Sequence, residues 1–67
     1  MTQTEKVLDH IVTYGSITPL EALKEYGIMR LASRVHDLKK QGIYLNRTTE
    51  KSTNRFGETV HYTRYTL

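Results

Sequence analysis

Ile28-Met29-Arg30-Leu31-Ala32-Ser33-Arg34-Val35-His36-Asp37-Leu38-Lys39-Lys40-Gln41-Gly42 is the stretch on which the reading of this chain turns. Apolar residues fall at 28, 31, 35 and 38, at spacings of three, four and three, which is one face of an α-helix. The other face carries Arg30, Ser33, Arg34, Asp37 and Lys40. The spacing predicts a helix from about Met29 to Gln41, roughly 20 Å long at its rise per residue. Lys39 and Lys40 in the last turn complement the helix dipole, and Gly42 takes the position just past the end that favours glycine. An apolar back with a basic, hydrogen-bonding front has the chemistry to enter the major groove of duplex DNA.

Upstream of this stretch, Thr18-Pro19-Leu20-Glu21 is a strong helix start. Thr18 caps, Pro19 takes the first helical position and Glu21 reaches back to the cap. A helix from Pro19 to Tyr26 follows, with Leu20, Leu23 and Tyr26 on one side, and Gly27 stops it. An earlier helix is predicted over 4–14, with Val7, Leu8, Ile11 and Val12 as its apolar stripe. Thr2 or Thr4 is its cap, Thr2 forming a capping box with Glu5, and Gly15 ends it. Ser16-Ile17 is too short for a helix and reads as a minimal strand that pairs with a later hairpin, placing Ile17 in the core.

Downstream of Gly42 the period changes from helical to extended. Ile43 to Thr49 and Val60 to Leu67 are rich in β-formers, and the polar run Lys51 to Gly57 lies between them. Together, residues 43–67 predict a β-hairpin with a long tip. The expected core joins Leu20, Leu23, Leu31, Val35 and Leu38 to Val7, Leu8, Ile11 and Val12. Phe56, the sole phenylalanine, is expected to anchor the hairpin by packing, the alternative being an exposed aromatic that serves a partner surface.

Sixty-seven residues bury only a modest core, and the lack of cysteine leaves no disulfide or thiolate metal site to reinforce it. Charge is unevenly spread. Residues 1–28 carry two lysines against four carboxylates (−2), and residues 29–67 carry eight cations against three carboxylates (+5). A basic half joined to a mildly acidic one implies a polyanionic partner. Met1 to Asp9 is polar and does not read as a secretory signal, and no apolar run approaches a membrane span. His10, His36 and His61 have no metal-ligand spacing and read as surface residues. Tyr14 and Tyr26 read as core-edge residues, and Tyr44, Tyr62 and Tyr65 as cross-strand packing in the hairpin rather than stacking platforms for bases. No nucleophile arrangement, paired carboxylates or phosphate loop stands out, and so small a chain can scarcely enclose a pocket. The expectation is a non-enzyme with no cofactor and no metal.

Helix, minimal strand, helix, tight turn, helix, hairpin is the order of a winged helix-turn-helix domain. Gly15-Ser16-Ile17-Thr18-Pro19-Leu20-Glu21-Ala22-Leu23, the stretch Arg30 to Gly42, and Asn54-Arg55-Phe56-Gly57 make the chain resemble the small winged helix-turn-helix proteins of bacteriophages and prophages. The resemblance covers nearly the whole chain. It implies one α+β domain over 1–67, with three helices, a minimal first strand and a C-terminal hairpin wing, acting as a DNA-binding module.

The angular positions on the third helix make Arg30 and Ser33 the candidates for base contacts, then Arg34, with Asp37 beside them and Lys40 toward phosphate. Arg34 and Asp37, three apart, also have the spacing of a structural ion pair. In the wing, Lys51, Asn54 and Arg55 are the candidates for phosphate or minor-groove contact. The expected partner is double-stranded DNA, bound by one copy or by a homodimer on a palindrome. The expected location is the cytoplasm of a bacterial host, at the nucleoid. The expected role is a sequence-specific phage or prophage transcriptional regulator or recombination accessory factor. The alternative is a protein-interaction module that inhibits or redirects a host protein.

Overall fold

The computed structural model describes all of residues 1–67. In chain order it contains α1 (Gln3–Tyr14), α2 (Pro19–Tyr26), α3 (Leu31–Lys40), β1 (Asn46–Thr53) and β2 (Thr59–Thr66). The strands form one antiparallel hairpin, so the α+β arrangement of three helices and a wing is present.

Local chemistry starts and stops the helices. Thr2 and Glu5 form a reciprocal capping box, with Glu5 N donating to Thr2 Oγ1 at 3.1 Å and Thr2 N to Glu5 Oε1 at 2.9 Å. These bonds hold the Glu5 carboxyl below its ordinary range. Thr18 and Glu21 repeat the device at 3.3 and 2.9 Å at the start of α2. Each box satisfies backbone N–H groups that a helix start leaves unpaired. At the end of α3, Gly42 N donates to Lys39 O at 3.0 Å and Ile43 N to Leu38 O at 2.9 Å. This Schellman closure needs the left-handed backbone that Gly42 adopts at φ +88°, and it lays Ile43 against the core edge.

The core is one cluster: Val7 and Ile11 of α1, Ile17, Ala22 of α2, Ile28, Leu31, Val35 and Leu38 of α3, and Tyr65 of β2. Ile17 pairs with Tyr65 through two backbone hydrogen bonds of 3.0 and 2.9 Å, so the minimal strand is a single-residue bridge that ties the wing to the helices. The expected core needs correction at several points. Val12, Leu20 and Leu23 are exposed. Helix α1 packs about the line of Val7, His10 and Ile11, and at about 100° per residue Val12 then lies well off that line. On α2 the inward residues are Ala22 and Tyr26, because Ile17 and Ile28 at its two ends already fill the core. Leu20 and Leu23 turn toward the hairpin instead.

His10 was expected at the surface but is 5% exposed. Its Nδ1 lies 2.7 Å from the Tyr26 hydroxyl, and its buried Nε2 has no partner. Burial pushes the Tyr26 phenol above its ordinary value. Tyr14 is exposed, though its ring lies 4.7 Å from that of His10. Helix α3 starts two residues later than expected, because Arg30 is its N-cap, with φ −118° and ψ 66°. Ile28 therefore reaches the core from the α2–α3 turn rather than from the helix. Paired strand begins at Asn46 rather than Ile43, and Phe56 packs on no core residue.

The hairpin register sets Arg47 opposite Tyr65, Glu50 opposite Tyr62, Lys51 opposite His61 and Ser52 opposite Val60. Alternation then divides it into two faces. Arg47, Lys51, His61 and Tyr65 share one, and Glu50, Ser52, Val60, Tyr62 and Arg64 share the other. Only Tyr65 of the hairpin tyrosines enters the core, and Arg47 covers its ring at 5.8 Å. Eight paired residues span about 26 Å, within a molecule measuring 39 × 22 × 20 Å.

Candidate nucleic-acid interface

Helix α3 has three kinds of surface. Leu31, Val35 and Leu38 are buried in the core. Arg34 and Asp37 face α1: Arg34 Nη1 donates to Gln3 Oε1 at 3.3 Å, and Thr4 Oγ1 donates to Asp37 Oδ2 at 3.3 Å. Arg34 Nε lies 3.2 Å from Asp37 Oδ2, an ion pair by distance, yet its N–H is not aligned for a hydrogen bond. The remainder is open. Ala32, His36, Lys39 and Lys40 are exposed, Ser33 is half-buried, and Arg30 is exposed at the N-cap without an ion pair.

The wing has a similar division of labour. Asn54 Oδ1 accepts from Phe56 N at 2.9 Å and Glu58 N at 3.1 Å, and its Nδ2 donates to Glu58 Oε1 at 3.3 Å. Its amide therefore builds the tip. Lys51 and Arg55 are exposed, and the Arg55 guanidinium lies 4.7 Å above the Phe56 ring.

Of the predicted site residues, Arg30, Lys40, Lys51 and Arg55 are free at the surface and Ser33 is partly so. Arg34, Asp37 and Asn54 are each engaged within the fold, Arg34 through Gln3 and the Asp37 ion pair, Asp37 through Thr4, and Asn54 through the wing-tip backbone and Glu58. The structure adds three residues that the linear pattern did not single out. His36 and Lys39 of α3 meet Arg47 at the foot of the wing, where with Val35, Tyr44 and Leu45 they line a concavity of about 350 Å³. Lys39 had been explained by the helix dipole alone, and nothing in the linear order places Arg47 beside it.

Arg64 was also missed. Its Nε donates to Glu50 Oε1 at 2.9 Å and its Nη1 to Ser16 Oγ at 2.8 Å, and Nη1 lies 3.7 Å from Glu21 Oε1. One guanidinium thus holds β2 to β1, to the α1–α2 turn and to the first turn of α2. The Arg64 guanidinium, with the Tyr62 hydroxyl second, holds the Glu50 carboxyl below its ordinary range. A depressed carboxylate stabilises the fold above its unfolded value, and that contribution is lost as pH falls through the folded value. Stability is therefore expected to decline on acidification below pH 4.5. Glu50→Gln is expected to lose less stability than wild type between pH 7 and pH 3 in urea titrations. An equal loss in both proteins would show that this pair has no part in the acid response.

On the hairpin face opposite Arg47, a second depression of about 630 Å³ separates α2 from the wing. Leu20, Leu23, Met29, Val60 and Tyr62 line it, with Glu21 and Arg64 at its edge. No group of three or more His, Cys, Asp or Glu side chains is placed to hold a metal ion. No helix is long and apolar enough to cross a membrane.

The charge pattern becomes sharper in three dimensions. Of the three carboxylates of residues 29–67, Asp37 is paired with Arg34 and Glu50 with Arg64, and Glu58 accepts from the neutral Asn54 amide, which leaves its charge unpaired. Six of the eight cations in the same region, Arg30, Lys39, Lys40, Arg47, Lys51 and Arg55, make no ion pair. They lie on α3, its N-cap and the wing, so the unpaired positive charge is concentrated on those elements.

Residues 2–67 match the model of a family described as a winged helix-turn-helix domain. No curated protein and no solved structure gives a significant match. With the family match spanning nearly its whole length, the chain belongs to the winged helix-turn-helix domain family.

Proposed function

We propose that the chain is a sequence-specific double-stranded DNA-binding protein without enzymatic activity. In this reading α3 enters the major groove, with Arg30 and Ser33 at base edges and Lys40 at phosphate. The concavity of His36, Lys39 and Arg47 lies along one phosphate backbone, and Lys51 and Arg55 carry the wing to the backbone or minor groove. Arg34, Asp37 and Asn54 act as positioning residues, the first two fixing α3 against α1 and the third shaping the wing tip. A phage or prophage transcriptional regulator or recombination accessory factor, working in the bacterial cytoplasm at the nucleoid, is the role that fits such a module. The observation that carries the reading is the set of six unpaired cations on α3 and the wing, against a single carboxylate of the same region, Glu58, outside an ion pair.

Selection from a random duplex pool by the purified, folded chain at near-physiological salt tests it. An enriched motif is expected, and its symmetry reports whether one copy or a homodimer binds. No enrichment from a protein shown to be folded would sink specific recognition.

The second reading, a module that docks a host protein, draws on the apolar depression between α2 and the wing. It predicts weak, salt-sensitive DNA binding without a preferred site.

A further inference from the structure

We propose that Phe56 is a wedge: the wing tip inserts its ring from the minor groove between two stacked base pairs and bends the duplex. The proposal rests on the DNA-binding reading and adds an activity, DNA deformation, to it.

Phe56 is 71% exposed, although burying a phenylalanine is among the larger gains open to a chain this small. It is also held in place. Asn54 accepts from the Phe56 backbone N–H, Gly57 turns the chain at φ +78°, and Gly57 N closes on Asn54 O at 3.1 Å. A tip braced this way has less loop entropy to lose on binding. The hairpin carries it about 26 Å from the Asn46–Thr66 end of the ladder.

The neighbouring chemistry selects the partner. A phenyl ring has no donor or acceptor, so it reads no base edge, and its gain comes from leaving water for an apolar surface. Arg55 lies 4.7 Å over the ring and Lys51 stands on the adjoining strand, so the ring arrives with cations for the phosphates on either side. Glu58, the one carboxylate at the tip, is held by Asn54. An unwidened minor groove, about 6 Å across, is tight for a two-stranded ribbon but admits the side chains at its tip. Apolar wedges of this kind unstack one step and kink DNA by roughly 20–90°. Flexible pyrimidine–purine steps are the least costly to open, so the wedge also confers sequence preference where no base edge is touched.

The test uses the full chain and a duplex of about 30 base pairs, carrying the selected motif or, failing one, a central TA step in A·T-rich sequence. Binding is read by anisotropy of an end label. Unstacking is read by 2-aminopurine placed in turn at each adenine, and bending by energy transfer between the two ends. Wild type is expected to brighten 2-aminopurine at one step and to draw the ends together. Phe56→Ala is expected to bind within about tenfold of wild type while losing both signals, and Phe56→Leu to retain most of the bend. The ring lies outside the core, so unchanged circular dichroism is expected for both variants. Tight binding by wild type with no brightening at any step overturns the wedge and leaves the DNA reading intact. A bend that survives in Phe56→Ala does the same. No anisotropy change with either duplex overturns both.

Discussion

Ile17→Ala is expected to destabilise the domain by about 2–5 kcal/mol. Ile17 is fully buried and is the only residue between α1 and α2 that enters the core cluster. Its backbone exchanges two hydrogen bonds with Tyr65, whose ring lies in the same core. Truncation therefore opens a cavity at the joint between the helices and the wing, where relaxation on one side pulls on the other. A domain of this size has roughly 3–10 kcal/mol in total, so one substitution removes a large share of it. Urea denaturation followed by circular dichroism measures the change. Val12→Ala, on the exposed side of α1, is the control and is expected to change stability by no more than about 0.5 kcal/mol. A loss below about 1 kcal/mol for Ile17→Ala would remove the bridge from the stabilising core.

Arg30→Ala is expected to weaken binding to the selected site by about 1–3 kcal/mol, a five- to 150-fold rise in Kd, and to relax one base position. Arg30 is the unpaired cation at the first turn of α3, and recognition helices place their N-terminal residues at base edges. A guanidinium donates two hydrogen bonds to guanine O6 and N7, and that pairing discriminates among bases as a phosphate contact does not. Lys51→Ala provides the contrast. It is expected to weaken all sequences alike and to reduce the salt slope of log K by about one unit. Competition binding against single-base variants over a salt series separates the two behaviours. An Arg30→Ala protein with unchanged affinity and unchanged base preference would show that the contact to bases lies elsewhere on α3.

The elements themselves are legible in the chain because their determinants are local. Thr2 with Glu5, and Thr18 with Pro19 and Glu21, mark the starts of α1 and α2, and Gly42 marks the end of α3 within a few residues of the groups it satisfies. The spacing of Leu31, Val35 and Leu38 likewise identifies the buried face of α3. Where the reading failed, two or more elements shared the decision. Leu20 and Leu23 have the spacing of a core face, yet Ile17 and Ile28 occupy the space they would have filled. Ile28 fits the α3 period and is buried, but from outside the helix. His10 is polar in a linear reading and buried in the fold because Tyr26, sixteen residues on, supplies its hydrogen bond.

The candidate site divides along the same line. Residue type and helical angle were enough to bring forward Arg30, Ser33 and Lys40, and composition was enough to mark the C-terminal half as basic. The cations that are free were not decidable from the chain alone. Arg34 is engaged by Gln3 and Asp37, and Arg64 by Glu50, Ser16 and Glu21, at separations of up to 48 residues. Likewise, the grouping of His36 and Lys39 with Arg47 follows from where the hairpin docks, whereas the tip that presents Phe56 is built locally by Asn54 and Gly57.

By itself the sequence determined the helices, the wing, their order and the basic character of the C-terminal half. Capping, turn chemistry and hydrophobic period act over a few residues, and net charge is a sum that needs no coordinates. Only the tertiary structure decided which apolar residues are core and which cations remain free. Close packing and ion pairing depend on distances between elements far apart in the chain.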